Sequence, residues 1–182
     1  MNYRDLSILW SLINILFIFS QLYESRFPGK KSFRLNLICM GGLIVFNMLL
    51  VLKMGVIWMG KYFILTCTLP SFFYFFYMAK DRNGRFFFTF CIADIMGFWI
   101  MAVTNLISYA LGENFLLLLL LRIFLFLLLE FFVVYYLKKP YHLILQFVKR
   151  GWGGFAFASG LFYLFFSLIG QPPQTIYNCL IG

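Results

Sequence analysis

Long apolar runs broken by short polar stretches dominate the chain, and the runs have the length that matters for a bilayer. About 20 mostly apolar residues in an α-helix cross a hydrocarbon core of roughly 30 Å. On that criterion six spans are predicted: Leu6–Tyr23, Leu35–Leu52, Tyr62–Met78, Phe86–Leu111, Phe115–Leu137 and Gly154–Ile169. The third is the shortest and contains Pro70. A kink is expected there, because proline lacks an N–H and its ring crowds the carbonyl four residues back. The first run has a lone Arg4 before it and QLYESRF after it, with no small-x-small cleavage pattern. It reads as a retained helix rather than a signal peptide.

The polar interruptions are unequal in charge. Arg26, Lys30, Lys31 and Arg34 fall in the first, Lys80, Arg82 and Arg85 in the third, and Lys138, Lys139, Lys149 and Arg150 in the fifth. That places eleven basic residues on one side, against Arg4, Lys53 and Lys61 on the other. Lys and Arg accumulate on the cytoplasmic side of membrane proteins. The first, third and fifth loops are therefore expected inside and both termini outside. The fifth loop, PYHLILQFVKRG, also carries a pattern of its own. His142, Gln146, Lys149 and Arg150 share one helical face, with apolar residues on the rest. Pro140 suits a helix start and Gly151 a helix end. A short amphipathic helix over residues 140–150, lying on the cytoplasmic leaflet, is the expectation. Lys138, Lys139, Lys149 and Arg150 are its candidate contacts with anionic inner-leaflet lipids.

Composition agrees with this architecture. Of 182 residues, 63% are hydrophobic and 12% charged, against about a quarter charged in soluble domains. A chain this short has too much surface to hide that excess from water. The fold class expected is an all-α integral membrane protein, a single bundle of six transmembrane helices. The net charge of +9 is scattered over short loops rather than gathered into a footprint, which excludes nucleic acid as a partner. Cys39, Cys67, Cys91 and Cys179 form no C-x-x-C pair and read as small buried hydrophobes.

Within this apolar frame four polar residues stand out: Asp94, Asn105, Arg122 and Glu130. Ionisable groups at bilayer depth are costly and usually face the bundle interior. The short turn Gly112-Glu113-Asn114 makes the fourth and fifth spans antiparallel neighbours. At about 1.5 Å per residue, Arg122 lies roughly level with Asn105, and Glu130 roughly level with Asp94. Asp94 and Asn105 also share a helix face on a turn of about 100° per residue. The four form a candidate intramembrane polar core, with Asn105 and Asp94 as partners for Arg122 and Glu130. Interhelical packing through polar side chains is the plainer alternative.

Catalytic chemistry is sparse. His142 is the sole histidine, so no histidine-rich metal site forms from this chain alone, and its basic interfacial setting suits a solvated role. Gly151-Trp152-Gly153-Gly154 lacks the Lys-Ser/Thr of a phosphate loop and suits a flexible junction. RNGRFFFTFC, Arg82–Cys91, is similar to the membrane cysteine peptidases that process quorum-sensing peptides. Gly84 stands where they carry a histidine, so the Cys91 thiol lacks a base. No enzyme activity and no cofactor are expected.

The stretches TLPSFFYFFYMAKDRNGRFFFTFCIADIMGFWI, Thr68–Ile100, and LEFFVVYYLKKPYHLILQFVKRGWGGFAF, Leu129–Phe157, resemble the amino-terminal membrane sensor region of bacterial receptor histidine kinases. Those proteins carry a GHKL-type ATPase domain and are related in style to quorum-sensing peptide receptors. The resemblance covers most of the chain and implies a multi-pass protein of a bacterial cytoplasmic membrane, a sensor for an extracellular peptide or small molecule. Such kinases continue through a seventh span into a histidine helix and an ATP-binding domain, neither of which these 182 residues contain. It therefore implies a partner kinase or a homodimer that receives the signal. A second class is the six-span substrate-capture subunit of small-molecule transporters, and a third is a structural or accessory membrane protein.

Overall fold

A computed structural model describes residues 2–55, 58–59, 62–112, 114–148 and 151–169, the last four without their side chains. The helices are α1 (Tyr3–Leu22), α2 (Gly29–Met54), α3 (Leu69–Met78), α4 (Gly84–Ala110), α5 (Phe115–Phe132), α6 (Lys138–Phe147) and α7 (Trp152–Ile169). Five-residue π-helical turns, Ile64–Thr68 and Val133–Leu137, lead into α3 and α6. Among the described residues there is no strand, only an isolated antiparallel bridge between Ser25 and Ala79. Helix starts follow the sequence: Asn83 Oδ1 accepts from Arg85 N at 3.0 Å, and Asn114 Oδ1 from Leu117 N at 3.1 Å, satisfying N–H groups that lack a helical partner.

Among the described residues four helices are long and apolar enough to cross a membrane: Tyr3–Leu22, Gly29–Met54, Gly84–Ala110 and the continuous rod Phe115–Phe147; two shorter apolar helices are Ile64–Met78 and Trp152–Phe165. Several ends differ from the sequence expectation. Helix α2 begins at Gly29 rather than Leu35, so Lys30, Lys31 and Arg34 ride on its first turns instead of in a loop. The expected break at Pro140 is absent, and the rod runs through it for 33 residues. At about 1.5 Å per residue that is roughly 50 Å, longer than a hydrocarbon core of about 30 Å. The rod is thus longer than one crossing requires, and residues 140–147 continue it rather than starting after a break.

Both prolines are accommodated in the same way. Lys138 N bonds Val133 O two residues before Pro140, and Leu69 N bonds Ile64 O one residue before Pro70. Each is a five-residue rather than four-residue closure. The widened turn gives the ring room, which is why the helix continues through Pro140, where a break is expected, as it does through Pro70, where a kink is expected. Pro70 still leaves the Thr66 carbonyl without its usual N–H. Asn47 of α2, fully buried, sends its Nδ2 to that oxygen at 3.3 Å.

Helix α1 is the centre of the bundle. Half of its 20 residues are buried, with Leu6, Ile13 and Phe17 left exposed along one face, and α2, α4, α5 and α6 pack against it. Its C-terminal half carries a ring-on-ring core: Phe19 lies 4.5 Å from Phe75 and 5.3 Å from Phe90, and Phe72 lies 5.2 Å from Phe90, centroid to centroid. These aromatics fill the interior and enclose no cage. A Cβ on Gly97 would overlap the Ile15 side chain, and one on Gly84 would lie 2.9 Å from the Trp152 backbone. The two glycines set how closely α4 approaches α1 and the start of α7. Leu37, Phe46, Phe124, Leu127 and Phe162, by contrast, are more than half or nearly half exposed, and their outward apolar faces suit hydrocarbon.

Candidate functional site

Three helices converge on one guanidinium. Arg122 is the eighth residue of α5, whose one other charged residue is Glu130, and is 2% exposed. Its Nε donates to Thr104 Oγ1 at 3.0 Å, Nη1 to Ser7 Oγ at 3.0 Å, and Nη2 to Asn105 Oδ1 at 2.7 Å. The two hydroxyls face it as acceptors because their own hydrogens are engaged elsewhere. Ser7 Oγ donates to Arg4 O at 2.7 Å and Thr104 Oγ1 to Ile100 O at 2.8 Å. Such an oriented chain strengthens each bond in it. Among the described residues no carboxylate lies within 4.0 Å of Arg122; the ion pairs present are Lys80–Glu24, Arg85–Asp81 and His142–Glu24.

Of the four polar residues picked from the sequence, the structure brings Arg122 and Asn105 together and leaves the other two apart. Asp94 is buried on α4, with Cys67 and Cys91 the thiols in electrostatic reach and no hydrogen bond to its carboxylate among the described residues. Glu130 is half-buried and bonds neither Asp94 nor Arg122. Helix geometry explains the split. Eight residues turn Glu130 about 80° from Arg122 around α5, so the face that meets α1 and Thr104 carries Arg122 alone. Asp94, one turn along α4 from Cys91, belongs to the side where α7 packs.

The sequence reasoning passed over Ser7, Ser11 and Thr104. Ser7, Ser11 and Asn14 recur at helical spacing along α1 and are all buried. Ser7 and Ser11 alone make a small-x-x-x-small pair of the kind that lets membrane helices approach. Thr104 adjoins Asn105 and is fully buried; only the packing of α4 decides which of the two faces inward.

The opposite end of the bundle gathers the polar loops. Lys80 N donates to Glu24 O at 2.9 Å and Arg26 N to Met78 O at 3.0 Å, and Arg85 Nη2 reaches Val148 O at 3.1 Å. A cavity of about 500 Å³ lies between them, lined among others by Glu24, Lys80, Asp81, Arg85 and Gln146. His142 is not solvated as expected. It faces Glu24 at 3.5 Å, with its Nδ1 buried, while Leu143, Ile144 and Phe147 of the same helix are exposed. The side of α6 that turns to protein carries Tyr141 and Leu145, both buried, with His142 part-buried beside them, whereas Gln146 is exposed with the outward apolar residues. Of the candidate lipid contacts, Lys138 Nζ donates to Gln21 Oε1 of α1 at 2.9 Å, Lys139 is exposed, and Lys149 and Arg150 lie outside the described residues. The Gly151–Gly154 junction is anchored by Trp152, which is buried and donates Nε1–H to Val148 O at 2.6 Å.

No protein-family model, curated protein or solved structure matches this chain.

Proposed function

We propose that the chain is a six-span membrane receptor module, with both termini outside, whose outer polar junction biases the arrangement of its inner end. The observation that supports this is a double linkage between the same two rods. Helix α1 meets the α5–α6 rod at Ser7–Arg122 and again at Gln21–Lys138. Arg122 and Lys138 are sixteen residues apart, roughly 24 Å along the rod at 1.5 Å per residue. A change in the outer bond moves one rod against the other, and the inner bond carries that shift to the Glu24–His142 contact and the basic loops. The π-turn between them, Val133–Leu137, is the softer joint that interrupts the regular ladder, a feature frequent at functional sites. The output at the inner surface is a partner histidine kinase or a second copy of the chain, reached by a population shift between arrangements.

Spin labels at Arg82→Cys and Lys139→Cys, in a chain cleared of its native cysteines, report the inner-end spacing by pulsed dipolar spectroscopy in nanodiscs. Arg122→Leu is expected to redistribute those distances. An inserted, folded Arg122→Leu protein with an unchanged distribution would remove the basis of the reading.

A further inference from the structure

Arg122 is a buried cation with no carboxylate set against it among the described residues. Arg122 has five N–H donors. Three are taken by Ser7, Thr104 and Asn105, which leaves one N–H on each terminal nitrogen. Arg4 lies within electrostatic reach of Arg122, its guanidinium 5.9 Å from the Phe115 ring centroid. The carboxylate of Asp5 accepts from Asn2 N at 2.8 Å and makes no ion pair with either arginine among the described residues. A like charge in reach weighs more in a low-dielectric setting than in water, and a buried charge without a partner is costly. The hydrogen bonds from Ser7, Thr104 and Asn105 offset part of that cost, but none of them carries a negative charge. Asn105, which accepts from Arg122 on one side, is itself exposed, so the hydrogen-bond shell of the guanidinium reaches the surface there.

We propose that this outer junction is an oxyanion site. A carboxylate or phosphate group engages the two free N–H groups of Arg122 and offsets its charge, displacing or joining Asn105. Two oxygens of a carboxylate or of a phosphate match the spacing of guanidinium N–H donors, and the bonds formed are charge-assisted. Arg122 lies about 11 Å from the α4–α5 turn at 1.5 Å per residue. That depth is within reach of a lipid headgroup phosphate and of a water-borne anion entering at the outer face. The proposal deepens the receptor reading by giving the class of ligand that acts on the Ser7–Arg122 bond, and it rests on that reading only for the consequence of binding.

The test has two arms. In maltoside micelles, which carry no phosphate, the whole chain is titrated with sodium acetate and with sodium phosphate at constant ionic strength, and the midpoint of thermal unfolding is followed. Separately, native mass spectrometry of the chain released from mixed phosphatidylcholine and phosphatidylglycerol nanodiscs reports retained lipid. A saturable rise in midpoint that vanishes in Arg122→Gln identifies a water-borne oxyanion. Retained phosphatidylglycerol that is lost in Arg122→Gln identifies a headgroup. Arg122→Lys keeps the charge but loses the fork, and weakens either signal by roughly tenfold or more. It serves as the comparison if the glutamine variant does not fold. No response in either arm by the unaltered chain, or an equal response in the variants, overturns the site. The inner-end spacing measurement uses no added anion, so failure here leaves the receptor reading standing, and failure there leaves the site standing.

Discussion

Replacing Arg122 by leucine separates a residue kept for stability from one kept for what it senses. The substitution removes three interhelical hydrogen bonds. In a bilayer such bonds average about 0.6 kcal/mol each, so their loss comes to about 2 kcal/mol. It orphans no donor, since the Ser7 and Thr104 hydroxyls still donate to Arg4 O and Ile100 O. Against that loss stands relief of the buried charge; replacing buried ionic groups by well-packed apolar residues is often neutral or stabilising by about 1–4 kcal/mol. The two effects are of one size, and the net change expected is within about 2 kcal/mol of zero. Phe126, four residues on and fully buried, makes the comparison: Phe→Ala costs about 3–5 kcal/mol in water-soluble cores, and the lost dispersion contacts count in lipid too. The assay is reversible unfolding in mixed micelles of rising denaturing-detergent fraction, read by circular dichroism. If Arg122→Leu costs more than about 3 kcal/mol, or more than Phe126→Ala, the arginine is holding the bundle together, and the argument from uncompensated charge fails.

Further outcomes follow from particular contacts. Asn47→Leu should lose much of its effect in a Pro70→Ala background, because alanine restores the N–H that Thr66 O lacks; the coupling in a double-mutant cycle is about 0.5–1.5 kcal/mol, and additivity would show that Asn47 does not stand in for the proline. Gly97→Ala should destabilise by about 1–3 kcal/mol through overlap with Ile15, whereas Gly41→Ala, which meets open space, should not. Glu24→Gln removes partners of both Lys80 and His142 yet should change stability by less than about 1 kcal/mol; a larger loss by the same unfolding assay would make that end a structural clamp. Single cysteines at Arg82 and Lys139 should react with an impermeant maleimide only from the inner side of the membrane, and one at Lys53 only from the outer; the reverse pattern would invert the topology.

Hydrophobic run length alone decided that this is a chain of apolar helices, because about 20 residues of uninterrupted hydrocarbon can satisfy their backbone in a bilayer in few other ways. The same one-dimensional count placed Arg122 and Asn105 at one depth, since rise per residue is fixed by helix geometry. What the sequence could not decide was rotation and neighbourhood. Whether Glu130 joins Arg122 depends on which side of α5 meets α1. Whether Thr104 or Asn105 faces inward depends on the approach of α4, limited by Gly97 against Ile15. Nor could it decide that the helices run on past Pro70 and Pro140: local preference favours a break, and the widened π-turns that avoid one are held by contacts such as Asn47–Thr66, distant in sequence. Depth is a property of one helix and is written along the chain, whereas the site is a property of three helices meeting, and only their packing brings Ser7, Thr104 and Arg122 to one point.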